Sequence, residues 1–321
     1  MSTYDKFTYE FFQQTLDCAP NEQSVRATLR HGNVARYRVR TIRSGNVTEV
    51  EAYPIFKDYR EVRAARSKIT QEVQANLNDR NAKKHFVRLV NTNFVKDDWH
   101  VTLTYNNEQK LPDEVEALNH IQNYFRRVKD YCKKNELQNP KYLYVIEFAD
   151  GDGWRKRIHH HIMLSGFVPR DVVRDKWKFG RVSCAELEPE NGSLEGLARY
   201  ITKQFNRTKQ SKRWQSSRNL KKPTVTTSDN KLSKRQIEVL ASDVENHAGA
   251  LFTKLYPNLV LNEPPIVKRS DWVAGACIYA KLHKSDVRQI FPTMPKGILN
   301  LVMGINLTTT ARLKSLELLG T

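Results

Sequence analysis

Acidic residues are scarce in this chain. Thirty-five Asp and Glu stand against 53 Lys and Arg in 321 residues, a formal net charge of +18. An excess that large favours a polyanionic partner, either nucleic acid or an anionic membrane. Long apolar runs are missing too. No stretch approaches the roughly 18 residues of a spanning helix, and the start, MSTYDKFTYEFF, lacks the basic-then-apolar layout of a secretory signal. The expectation is therefore nucleic acid, with no membrane partner. Cysteine is sparse: Cys18, Cys132, Cys184 and Cys277 lie far apart, with no C-x-x-C pair. That argues against a zinc ribbon and for reduced thiols in a cytoplasm. No G-x-x-x-x-G-K-[ST] sequence occurs, so no built-in P-loop motor is expected.

What is present has a clear order. VARYRVRTI and TEVEAYPIF flank Ser44-Gly45-Asn46, a turn between two alternating strands. A polar stretch without Pro or Gly follows and reads as one or two helices. WHVTLTY (99–105) is a strand, LPDEVEALNHIQNYFRRVKDYCKK (111–134) an amphipathic helix, and KYLYVIEF (141–148) and RIHHHIMLSG (157–166) are strands. PRDVVRDKW (169–177) is a short helix, GRVSCAELE (180–188) a strand, and GSLEGLARYITKQFN (192–206) a helix with Ser193 as its cap. The order β-α-β-β-α-β-α predicts an α+β fold: a ferredoxin-like antiparallel sheet with helices on one face. Three regions are expected. Residues 1–84 form an accessory hairpin and helices, 85–225 the central domain with a basic extension, and 226–321 a mostly helical region with SDWVAGACIYAKL as its most ordered part.

Three histidines interrupt a buried-looking strand. Side chains alternate along a strand, so Ile158, His160, Ile162 and Leu164 share one face, and His159, His161 and Met163 the other. The aliphatic set should meet the helices. His159 and His161 then project together onto the open face. If the intervening turn is centred near Asp152 or Gly153, Glu147 lies across from His159 on that face, with Asp150 and Asp152 as substitutes in the turn. Two neutral imidazoles and a carboxylate suit a divalent ion, magnesium or manganese, with positions left for substrate. A structural pair of surface or core histidines is the alternative.

ARYITKQ is the second signal. Tyr200 and Lys203 sit three apart, on one face of a helix. Tyrosine, with an ordinary pKa of about 10, is a poor nucleophile at neutral pH. A cation on the phosphate changes that by making phosphorus more electrophilic. From Arg199 to Lys222 there is no Asp or Glu. Arg199, Arg207, Lys209, Lys212, Arg213, Arg218, Lys221 and Lys222 would contact phosphates, and Trp214 would stack on an unpaired base. A solvated, disordered tail is the alternative.

VTLTY (101–105), Glu147 with IHHHIML (158–164), and YITK (200–203) together resemble the three ordered motifs of HUH endonucleases. More narrowly they resemble the rolling-circle replication initiators (Rep proteins) of bacteriophages and plasmids, over roughly residues 85–225. SSRNLKKP (216–223) and SDWVAGACIYAK (270–281) are also similar to segments of phage-type relatives. The resemblance implies a metal-dependent, site-specific DNA endonuclease and strand transferase in a bacterial cytoplasm. Tyr200 would nick one strand of origin DNA, become 5′-linked and free a 3′-hydroxyl for a host polymerase, alongside a host helicase. It assigns His159, His161 and Glu147 to the metal, and Lys203 to assist Tyr200. The position between the two histidines, apolar in the family, is His160 here. Gln204 replaces any second tyrosine one turn on, which points to a single-tyrosine enzyme. A conjugative relaxase or single-strand transposase would use the same chemistry; a non-catalytic nucleic-acid-binding protein is the alternative of another class.

Overall fold

The structure, a computed structural model, describes residues 34–56, 71–106, 112–147, 158–203, 213–261, 263–270 and 273–284. In chain order these form β1 (Val34–Ser44), β2 (Val47–Phe56), α1 (Gln71–Asn93), β3 (Trp99–Thr104), α2 (Glu114–Lys134), β4 (Tyr142–Glu147) and β5 (His159–Leu164). There follow α3 (Arg170–Asp175), β6 (Val182–Glu186), α4 (Glu195–Lys203), β7 (Gln215–Ser216), β8 (Thr224–Ser228), α5 (Lys234–Ser242) and α6 (Val244–Leu255). The described chain closes with β9 (Leu259–Leu261), β10 (Ile266–Ser270) and β11 (Val273–Lys284). Residues up to His283 cluster as one unit. The fold is α+β with two antiparallel sheets, and its central part has the ferredoxin-like order expected from the sequence.

The central sheet runs β6-β3-β5-β4-β7. Helix α2 covers one face because its apolar residues recur at helical spacing: Ala117, Ile121, Tyr124, Phe125, Val128 and Cys132 are all buried. They pack on Val101, Leu103, Tyr144, Ile162 and Leu164 of the sheet. A capping box starts this helix: Asp113 accepts from the Glu116 N–H, and Glu116 accepts from the Asp113 N–H.

The opposite face, expected to be open, is covered over part of its area. Phe86, Leu89 and Val90 of α1, with Leu194, Ala198 and Ile201 in and beside α4, pack on Leu143, Val145 and Met163. The reason lies in how polarity changes along the strands. On this face β5 runs His159, His161, Met163 while β4 runs Glu147, Val145, Leu143. The apolar end takes the helices; the polar end holds the imidazoles and the carboxylate.

The second sheet runs β10-β11-β2-β1-β8, with β9 also pairing β11. Its β1–β2 hairpin turns at Gly45, whose φ is +61°. A Cβ there would lie 1.9 Å from the Asn91 carbonyl oxygen, so glycine lets the hairpin tip press against α1. The helices expected after residue 226 are present as α5 and α6, but residues 273–281 differ from the helical expectation and belong to a strand. In β11, Ala276, Ile278, Ala280 and Leu282 alternate into a core with Phe252 and Ile237, a period of two rather than 3.6. Among the described residues, Cys132, Cys184 and Cys277 are buried and unbonded, as reduced thiols should be.

Candidate active site

Register fixes the faces. In the β4–β5 pair His159 lies opposite Glu147 and His161 opposite Val145; in the β3–β5 pair His161 lies opposite Thr102. His159, His161 and Glu147 therefore share one face, as the alternation and the assumed turn predicted. Within it Glu147 Oε2 approaches His161 Nε2 at 3.2 Å, one step diagonally along the ladder. The His159 and His161 rings lie 6.4 Å apart between centroids.

His160 points the other way. It is fully buried, with Nε2 at 3.0 Å from the Tyr105 hydroxyl and its ring edge-on to Trp177. Burial pushes its pKa down to about 3, with His120, His159 and His161 adding to the effect. A neutral imidazole in a hydrogen-bonded aromatic cluster is what a histidine on the helix-covered face should become.

Tyr200 stands beside the imidazole pair. Helix α4 lays its ring edge-on against His161, centroids 6.1 Å apart and planes at 86°. The residue stays half exposed. Two contacts from other elements hold α4 in place. The Asn91 side chain of α1 accepts from the Leu194 N–H at 2.8 Å, satisfying a donor at the helix start. Ser193, the expected cap, contributes its hydroxyl to the Glu195 N–H at 3.1 Å. Glu195, in the first turn, takes Lys281 of β11 at 2.6 Å and Arg199 at 2.7 Å. Lys203 closes the helix, and its side chain lies outside the described residues.

The basic extension divides. Arg207, Lys209 and Lys212 lie outside the described residues, as do Asp150 and Asp152. Arg199 is exposed yet paired with Glu195, and Arg213 sits 3.5 Å from Asp79. Trp214 is half-buried, edge-on to Phe86 in the core beneath the site, so its ring packs within the protein. Arg218, Lys221 and Lys222 are exposed. Their segment is strapped down, since Asn93 accepts from the Lys221 N–H at 2.7 Å and donates to its carbonyl at 2.8 Å. That strap is not the disordered tail weighed as an alternative. It follows Ser217, whose N–H reaches Tyr142 at the start of β4. The imidazoles lie toward the other end of that strand, roughly 17 Å away at a rise of about 3.3 Å per residue. These cations and the histidines are therefore not brought together.

The sequence reading overlooked His100. It stacks on His161 at 5.9 Å and 13°. Burial pushes its pKa down to about 4, with His161 adding to the effect. Its parity in WHVTLTY was the available signal. Asn91 and Lys281 carried none, being remote in sequence from the helix they hold.

Two imidazoles and a carboxylate on one face, with His161 Nδ1 buried and unpartnered, have the donor chemistry of a magnesium or manganese site. Among the described residues, no group of three or more His, Cys, Asp or Glu side chains closes to metal-holding distance. Among the same residues no helix is long and apolar enough to cross a membrane.

No curated protein and no solved structure matches the chain significantly. Residues 98–208, from the start of β3 to just past α4, match the model of the family described as Replication-associated protein ORF2. The matched stretch holds both the histidine strand and the tyrosine helix, and it points to a replication-associated, DNA-directed function.

Proposed function

We propose that this protein is a rolling-circle replication initiator of the HUH type, which nicks one strand of origin DNA through Tyr200 and later rejoins it. One observation carries the reading: a half-exposed phenol on α4 lies against His161, on the face that also bears His159 and Glu147. The family matched over residues 98–208 favours replication initiation over a relaxase or transposase using the same chemistry.

Tyr200 Oη attacks the scissile phosphorus. The Oη–P bond forms, the P–O3′ bond breaks, and the phenolic proton passes through solvent to the departing 3′-oxygen. The products are a 5′-phosphotyrosine link and a free 3′-hydroxyl. One ester replaces another, so the reverse attack can rejoin the strand. A divalent ion, held by His159, His161 and Glu147, would polarise a phosphate oxygen and raise the electrophilicity of phosphorus. Glu147 orients the His161 ring through their hydrogen bond, and His100 supports that ring from its flat side. Lys203, three residues after Tyr200, would hold the phosphate or the phenolate.

The test is a nicking assay on supercoiled plasmid carrying the replicon's origin, with magnesium or manganese added. Wild-type protein should give open circles and a protein–DNA adduct. Tyr200→Phe should lower both by about a thousandfold or more while leaving most of the DNA affinity. Normal nicking by that variant would reject Tyr200 as the nucleophile. A His159→Ala/His161→Ala double variant with unchanged activity across a metal titration would reject the ligand assignment. Failure of the wild type to nick at all would favour the non-catalytic binding protein.

A further inference from the structure

Two cavities flank the outer side of α2, on the face of the central sheet away from Tyr200. The first, about 310 Å³, lies where α2 meets the β4–β7 edge and falls within the about 300–1,000 Å³ range of small-molecule pockets. Its apolar wall is an aromatic slab: Phe125 stacks on Tyr142 at 3.7 Å and 12°, and Tyr144 adjoins both. Arg126 and Lys129 form its basic rim, and Gln215 and Ser216 supply hydrogen-bonding groups. The Lys129 ammonium is seated over the Tyr142 ring at 5.0 Å and donates to its hydroxyl at 3.1 Å. The second cavity, about 730 Å³, lies on the other flank of α2 against the end of α3 and is rimmed by Arg127, Lys134, Lys176 and Lys178. Asp130 lines both.

None of these six cations forms an ion pair with a carboxylate among the described residues, although Asp130 and Asp175 line the same surface. Cations gathered without counter-charges repel one another, and a polyanion relieves that repulsion. The aromatic slab adds a second requirement, a ligand with flat faces. Duplex DNA keeps its bases stacked inside, whereas an unpaired strand can present them to aromatic side chains. β7 also follows directly on the basic residues 207–213, so the strand lining this cavity is the continuation of that segment.

We propose that the outer face of α2 is a second path for single-stranded DNA. One base enters the Phe125–Tyr142–Tyr144 cavity, and the flanking phosphates lie on Arg126 and Lys129 and continue over Lys134 and Lys178. The surface is separate from the nicking face and does not depend on Tyr200 being the nucleophile.

The experiment uses full-length protein carrying Tyr200→Phe, so that nicking plays no part. Its affinity for fluorescein-labelled oligothymidylate is measured by anisotropy across a salt series. Lys134→Glu/Lys178→Glu and Arg126→Ala/Lys129→Ala should each weaken binding. Each should also flatten the log–log salt slope by about 1.4, two lost phosphate contacts at about 0.7 apiece. Binding to a duplex of the same length should change less. Photo-crosslinking with 4-thiothymidine should yield adducts on the peptides holding Tyr142 or Gln215. An unchanged slope in both double variants, or an equal loss on duplex, overturns the path. Crosslinks confined to the α4 and β5 peptides overturn the base cavity. Because the background is already deficient in the proposed nucleophile, a failed nicking reaction and a failed α2 surface give different results.

Discussion

Adjacent histidines 160 and 161 have opposite surroundings, and substitution should separate them. His160 is enclosed by Tyr105 and Trp177 on the helix-covered face. His160→Ala removes a buried ring and one partner of the Tyr105 hydroxyl, and should cost about 2–4 kcal/mol in urea unfolding. His161 faces Glu147, His100 and Tyr200. His161→Ala should leave stability nearer to wild type and remove nicking. If the two variants behave alike in both assays, the assignment of faces is wrong. This part was legible beforehand, since parity depends on nothing but the two-residue repeat of a strand. The diagonal bond from Glu147 to His161 was not, because alternation gives the face and leaves rotamers open.

Helix α4 is short, and it is held by residues far from it in sequence. Asn91→Ala leaves the Leu194 N–H without its acceptor, at a cost of about 1–3 kcal/mol. The Glu195–Lys281 contact offers a pH signature. Burial alone would raise the Glu195 carboxyl, but Lys281 and then Arg199 outweigh it and hold the group below its ordinary value. A depressed carboxyl adds stability above the unfolded pKa, about 4.3, and that contribution is lost as pH falls through the folded one. Lys281→Met should therefore be less stable than wild type by roughly 1–3 kcal/mol at pH 6. The gap should narrow as pH falls below about 4.3. A gap independent of pH between 3 and 6 would mean that the contact contributes little through charge. The same variant should nick more slowly if the clamp aims Tyr200.

Both ends of the described chain meet in one sheet, where β2 pairs with β1 on one side and β11 on the other. Arg88 of α1 bonds Glu49 and Glu51 of β2, and Tyr279 of β11 donates to Glu49 at 2.6 Å. A fragment limited to residues 85–225 keeps β3 to β7 and the matched stretch but loses these anchors and Lys281. It should melt at a lower temperature than the full chain in calorimetry and nick less per molecule. Equal melting temperatures would make 85–225 an independent domain whose flanks serve another purpose.

The central β-α-β-β-α-β-α order, the α2 face and the inward and outward histidines could all be read from the chain alone. Each follows from a local repeat, 3.6 residues for a helix or two for a strand, that short stretches carry within themselves. The strand at 273–284 could not be distinguished from a helix, because a short run of small apolar residues fits either period until a partner edge is present. The covering of half the histidine face, the seating of Trp214 under it, and the clamping of the tyrosine helix by Asn91 and Lys281 came from tertiary structure. They join residues separated by roughly a hundred positions, and no local pattern encodes which distant surfaces will bury each other.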